Sequence, residues 1–168
     1  MSSSAGIIII GDEILSGRTK DTNINWIANE LNELGIKLKE ARVIEDDKKT
    51  IINTVLEFSK KFTYVFTSGG IGPTHDDITT ESIAAAFKVD LEKNKIAMNL
   101  LKKHYEKSNI DFNEARQKMA IIPKGASLID NPVSVAPGFN IKNVFVFAGV
   151  PKIMQGMFHS ISSNLKGG

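Results

Sequence analysis

The chain has 168 residues, enough for one domain with a full core, and its 42% hydrophobic and 24% charged residues are those of an ordinary globular protein. A net charge of +2 argues against a nucleic-acid partner, and the lysines of 88–107 are interleaved with acids, as on a solvated helix face. The absence of cysteine excludes a disulfide framework, thiolate-bound zinc and thiol catalysis, and it fits a cytoplasmic protein.

The opening MSSSAG carries no basic region, and the apolar run 7–10 is too short for a signal peptide or a membrane span. Residues 5–10 form a continuous run that suits a strand buried on both faces of a parallel sheet. Residues 22–34 place Ile24, Ile27, Ala28, Leu31 and Leu34 at helical spacing, with Asp21 or Thr22 as cap and Gly35 as stop. Residues 37–44 read as a second strand, 46–61 as an amphipathic helix and 64–67 as a third strand. A short helix over 80–87 follows, then a longer one over 91–107 capped by Asp90, and one more over 112–120. Pro123, Gly125, Asn131, Pro132, Pro137 and Gly138 punctuate a region of turns and short strands. Residues 143–147 form a strand, and Pro151 opens a closing helix to about Leu165. This order predicts an α/β fold in a single domain over 1–168: an open, twisted, mostly parallel sheet with helices on both faces.

Ligands of such sheets bind beyond the carboxyl ends of the strands. That rule gathers three loops: 11–21, 68–79 and 148–151. The first, GDEILSGRTKD, is not a P-loop, because five residues separate Gly11 from Gly17 and Arg18 stands where lysine is required. Asp21 suits a helix cap as well as a site, whereas Asp12, two residues beyond a buried strand, must find donors, a metal or solvent. The second, GGIGPTHDD, fails the dinucleotide fingerprint, yet a Gly-rich turn after a buried strand and before a helix start is how α/β proteins build an anion site. Its two acids, Asp76 and Asp77, would repel a bare phosphate, which points to a divalent cation between them, unless one is an ordinary cap. With no sulfur ligands and dispersed histidines, that ion would be Mg²⁺ or a similar hard cation. His75 is the histidine placed to touch a ligand; His104 and His159 read as helix residues, and Trp26 as helix-to-sheet packing. No GxSxG elbow supports a hydrolase triad.

GDEILSGRTKDTN, TSGGIGPTHDDITTE, Asn131 with APGF at 136–139, and AGVPKIM at 148–154 together resemble the MoaB/Mog molybdopterin-binding domain. The form GGxGPTxDDxT with GDExLxG and GVPxxM is most similar to the amino-terminal domain of CinA-type proteins. The resemblance runs in order over nearly the whole chain. It implies a three-layer α/β/α fold that binds a pterin or nucleotide diphosphate at the strand carboxyl ends, in a homo-oligomer, with no membrane partner. In the family's adenylyltransferases, an Asp of the first loop and an Asp after the Gly-rich loop support Mg²⁺-dependent transfer of AMP to a pterin phosphate. Those positions match Asp12 or Asp21, and Asp77. Adenylyltransferases usually have Arg where this chain has Asp76, and Ser-Asp-Arg where it has Gly11-Asp12-Glu13. CinA-type domains and the related domain of FAD synthase are associated with cleaving dinucleotide pyrophosphates such as ADP-ribose or FAD, with a divalent metal and K⁺. The amidase domain of full-length CinA proteins is not part of these 168 residues.

The leading expectation is therefore a domain binding a nucleotide or pterin diphosphate with Mg²⁺ and hydrolysing dinucleotide pyrophosphates. Asp12, Asp21, Asp76 and Asp77 are the candidate catalytic residues, with Asp12, Asp76 and Asp77 as metal ligands. Ser68, Gly69, Gly70, Gly72, Pro73 and Thr74 would contact the ligand, as would Gly11, Gly149 and Pro151. Molybdopterin adenylylation or pterin binding in molybdenum-cofactor synthesis, and a non-catalytic nucleotide-sensing module, are the alternatives.

Overall fold

The computed structural model describes residues 2–167. Its main sheet has six strands in the order β2-β1-β3-β8-β7-β6. Strands β1 (Ser4–Ile10), β2 (Lys37–Ile44), β3 (Tyr64–Ser68) and β8 (Val144–Phe147) run parallel. β7 (Gly138–Ile141) joins β8 antiparallel, and β6 (Ser127–Ile129) joins β7 antiparallel, so the punctuated region becomes a meander on one edge. The expected mostly parallel α/β sheet is what forms.

Central β1 is buried from Ala5 to Ile10, as a strand covered by helices on both faces must be. Its alternate side chains feed two cores. Ala5, Ile7 and Ile9 meet α2 (Asn23–Glu33) and α7 (Pro151–Ile161) through Ile27, Leu31, Met154 and Phe158. Ile8 and Ile10 meet α3 (Lys48–Lys61) and α4 (Thr79–Ala86) through Ile51, Val55, Phe58 and Ile83. Three layers result, and each fully buried large side chain contributes roughly 1.5–3 kcal/mol. Trp26 packs against the core that β1 shares with α2 and α7, its ring edge-on to Phe158 and His159 of α7. Edge strand β2 alternates exposed and half-buried residues and carries charge, with Arg42 bonded to Glu40 and Glu57 and Lys61 to Glu40.

The structure corrects several boundaries. The first loop contains a four-residue helix, α1 (Asp12–Leu15). The expected helix over 91–107 is a strand followed by a helix. Leu91–Lys93 (β4) pairs antiparallel with Ile121–Pro123 (β5), and α5 (Lys95–Lys107) starts only at Asn94, whose side chain accepts from Ala97 N at 2.9 Å. Asn94, not Asp90, is the cap. The pairing with β5 lies 30 residues downstream, so local periodicity does not reveal it. The helix expected over 112–120 shrinks to α6 (Glu114–Gln117), capped by Asn113, and a 3₁₀ turn at Lys118–Ala120. The closing helix likewise passes into a 3₁₀ turn at Ser162–Asn164. Helix α3 begins at Lys48 with Asp47 as its cap, and the Asp47 carboxylate is lowered by its bonds from Thr50.

Candidate functional site

The chain leaves β1 for β2 on one side and returns to β3 on the other. The carboxyl ends of β1 and β3 therefore flank a topological switch point, where open α/β sheets hold ligands. A cleft of about 520 Å³ opens there, lined by all three loops singled out in the sequence.

The Gly-rich turn is its floor. Gly69 follows Ser68 at φ +107, and Gly70 follows at φ +77. A Cβ on Gly69 would collide with the Ile10 carbonyl oxygen at the end of β1, and one on Gly70 with Thr79 Oγ1. Both positions therefore need glycine for backbone conformation and for space. Gly69 N donates to Phe147 O at 3.1 Å and Thr79 N to Gly70 O at 3.0 Å, which ties the turn to β8 and α4. Among the described residues no acceptor pairs with the N–H of Gly70, Ile71 or Gly72, all of which line the cleft. Such free N–H groups suit an anion.

The four aspartates have four different settings. Asp77 lines the cleft, and its Oδ2 accepts from Thr74 N at 3.0 Å and Thr74 Oγ1 at 2.8 Å, which closes the turn. Asp76 is 81% exposed beside His75, itself 94% exposed, and neither is on the cleft wall. Asp21 reaches the cleft but caps α2, accepting from Asn23 N at 3.2 Å and Ile24 N at 3.0 Å. Asp12 is exposed, off the wall, and bonded to the backbone of Asp46. Glu13, its neighbour on α1, does line the cleft. Ser68, Gly69, Gly70, Gly72, Pro73, Gly149 and Pro151 all line it; Thr74 and Gly11 stand just outside.

The Asp46 carboxyl is pushed above the usual range, first by burial and then by the charges of Asp12, Glu13 and Asp77. The carboxylates are thus near enough to feel one another. Yet among the described residues no group of three or more His, Asp or Glu side chains is placed to hold a metal. A hard cation fits this donor set only in company with a ligand: Mg²⁺ is commonly held by one or two carboxylates, waters and substrate phosphates, and Glu13 and Asp77 are the cleft residues that could supply the carboxylates.

The family described as "Probable molybdopterin binding domain" matches residues 6–166. The chain belongs to the MoaB/Mog molybdopterin-binding family. Its CinA-type character is shown by the protein CinA, of unknown function, from Thermoplasma acidophilum: 34% identity, a TM-score of 0.89, and coverage of 97% of this chain and 99% of that one. A protein of Sulfurisphaera tokodaii is 41% identical over 156 residues, 90% of this chain and 59% of the relative. One of Saccharolobus islandicus is 37% identical over 166 residues, 96% and 63% respectively. The chain thus spans about three fifths of the curated relatives it matches. The molybdopterin biosynthesis enzyme MoaB of Thermus thermophilus, 15% identical with a TM-score of 0.64 over 97% of this chain and 91% of that one, shares the fold.

In this MoaB/Mog domain three residues do work that the sequence reading did not assign. Buried Asn23 donates to Ser68 Oγ and to Gly149 O, both at 2.9 Å, and so binds the start of α2 to the ends of β3 and β8. Asn131 accepts from Val133 N and Ser134 N and donates to Ser134 Oγ and Ala136 O. It holds a turn in which Val135 adopts φ +76, a strained conformation for a β-branched residue, at the cleft edge. Lys118 donates to the carbonyls of Thr74 and Asp77, clamping the acidic turn from outside. The motif segments contained Asn23 and Asn131, but their partners lie on other loops; Lys118 carried no local signal. Among the described residues no helix is long and apolar enough to cross a membrane.

Proposed function

We propose that this domain binds a nucleotide diphosphate in the cleft and hydrolyses a pyrophosphate of the ADP-ribose or FAD type with a divalent ion such as Mg²⁺. One observation carries the reading: Gly70, Ile71 and Gly72, whose N–H groups have no partner among the described residues, line the same cleft as the acidic residues Glu13 and Asp77. The N–H groups suit phosphate oxygens. The carboxylates would repel those oxygens, so the pair makes sense together when a cation neutralises part of the charge. Ile14, Ile71, Met119 and Ile153 give the cleft an apolar wall suited to a flat ring.

Bound by Glu13, Asp77 and phosphate oxygens, Mg²⁺ would offset charge and lower the pKa of coordinated water. The protein's own groups hold and orient. The Gly70–Gly72 backbone cradles the phosphate, Thr74 and Lys118 keep Asp77 in place, and the isoleucines exclude bulk water from the ring. In the balanced reaction a water oxygen bonds to one phosphorus as its bond to the bridging oxygen breaks. The bridging oxygen leaves with the other phosphate, a proton passes to solvent, and two phosphate monoesters result.

Adenylyl transfer to molybdopterin is the competing reading, and Glu13 on the cleft wall disfavours a pterin phosphate beside the first loop. Calorimetry with ADP-ribose, FAD, NAD, ATP and molybdopterin, each with Mg²⁺ or with chelator, separates them. The proposal expects Mg²⁺-dependent binding of at least one pyrophosphate ester; tight binding of molybdopterin alone would overturn it.

A further inference from the structure

Among the described residues, the charged side chains of the cleft wall belong to Glu13, Lys20, Asp21 and Asp77, so Lys20 is the one cation there. Its backbone is fastened on both sides. Thr19 N donates to Glu13 O at 3.0 Å, which folds the first loop back on α1, and Asp21 caps α2 through Asn23 N and Ile24 N. The side chain itself is exposed and enters no ion pair among the described residues. The neighbouring cations are placed differently. Arg18 is off the cleft wall, with its Nε turned to Ser16 Oγ at 3.5 Å. Lys118 is also off that wall and donates to the carbonyls of Thr74 and Asp77.

Resting on the pyrophosphate reading above, we propose that Lys20 is a further catalytic residue, whose ammonium bonds the departing phosphate and stabilises the charge that grows on it. A divalent ion and the two carboxylates that hold it, Glu13 and Asp77, cancel one another in charge, and Asp21 adds a third carboxylate to the wall. The negative charge of the substrate's phosphates is then met by the N–H dipoles of Gly70–Gly72 and by one full positive charge, that of Lys20. The demand is greatest in the transition state. As the water oxygen bonds to one phosphorus, the electron pair of the breaking bond stays on the bridging oxygen, and the departing phosphate gains a negative charge. An ammonium presents three N–H donors on a flexible stem, so it can follow that oxygen. It stabilises the growing charge as a hydrogen-bond donor and keeps its own proton, so the atoms balance as in the reaction above.

AMP release from ADP-ribose and FAD, in Mg²⁺ at fixed ionic strength, tests this on the wild type, Lys20→Met, Lys20→Arg and Arg18→Met, each checked for folding by circular dichroism. Lys20→Met should lower kcat about 30-fold or more and keep KM within about threefold, as expected of an interaction made in the transition state. Lys20→Arg keeps a charged donor and should retain about a fifth or more of the wild-type kcat. Arg18→Met removes the same charge from the same loop, off the cleft wall, and should stay within about twofold of the wild type. Unchanged kcat in Lys20→Met, or a rise in KM alone, overturns the assignment. Equal losses in Lys20→Met and Arg18→Met, or in Lys20→Met and Lys20→Arg, overturn it as well. In all these cases AMP release by the wild type leaves the pyrophosphate reading standing. A wild type that releases no AMP from either substrate overturns that reading and the role of Lys20 with it.

Discussion

Asp12 and Asp46 hold each other's backbone: Asp46 N donates to Asp12 Oδ1 at 3.0 Å, and Asp12 N donates to Asp46 Oδ2 at 3.1 Å. This reciprocal pair fastens the loop after β1 to the loop after β2. It also draws two carboxylates together at the edge of a cleft that already carries Glu13 and Asp77.

The raised Asp46 carboxyl means that the folded chain holds this proton more tightly than the unfolded chain does. Stability is therefore lost as pH rises through the window from the ordinary Asp value to the raised one. Asp46→Asn keeps an oxygen for Asp12 N and removes the charge. In chelator at pH 7 it should melt about 2 °C above the wild type, and the gap should close near pH 3. Thermal melts at the two pH values check this; equal melting at pH 7 would contradict it.

Gly69 and Gly17 both occupy the left-handed region, at φ +107 and +83. Only Gly69 has backbone where a Cβ would stand; around Gly17 the space is open. Gly17→Ala should cost about 1 kcal/mol, from conformation alone. Gly69→Ala should cost about 3 kcal/mol or more, because β1 and the turn must also part. Urea unfolding of the two variants gives the comparison, and equal costs would refute the close-approach argument.

Asn23 ties together loops that are 45 and 126 residues away in sequence. Asn23→Ala removes both bonds and should cost about 2 kcal/mol. It should also loosen the loop after β8, read as faster amide exchange around Gly149. Loss of stability with unchanged exchange there would show that the side chain fills space without positioning the loop.

The parts of this fold that were legible in the sequence are those set by local pattern. The continuous run of β1, the amphipathic stripes of α2 and α3, and Pro151 at the start of α7 each follow from neighbouring residues. Residues 91–93 were not legible as a strand, since their partner Ile121–Pro123 lies on the other side of α5. The same division runs through the site. Gly69, Gly70, Gly72 and Asp77 announce themselves by spacing, and they do line the cleft. Asp76 looks equivalent to Asp77 in sequence, but the turn that Thr74 closes on Asp77 leaves Asp76 in solvent. Glu13 is brought to the cleft where Asp12 is not, because α1 rotates consecutive side chains to different directions. Lys118 reaches the acidic turn from 41 residues beyond Asp77, through contacts that no local pattern encodes.

The contrast between the two adjacent aspartates gives the most direct test of the proposed chemistry. AMP release from ADP-ribose and FAD should be measured with Mg²⁺, with and without K⁺, for the wild type, Asp76→Asn and Asp77→Asn, each verified as folded. The account predicts that the wild type releases AMP, that Asp76→Asn stays within about threefold, and that Asp77→Asn falls by about 100-fold or more, a loss of about 2.7 kcal/mol in transition-state stabilisation. Full activity in folded Asp77→Asn, or no AMP release by the wild type from either substrate, would contradict it.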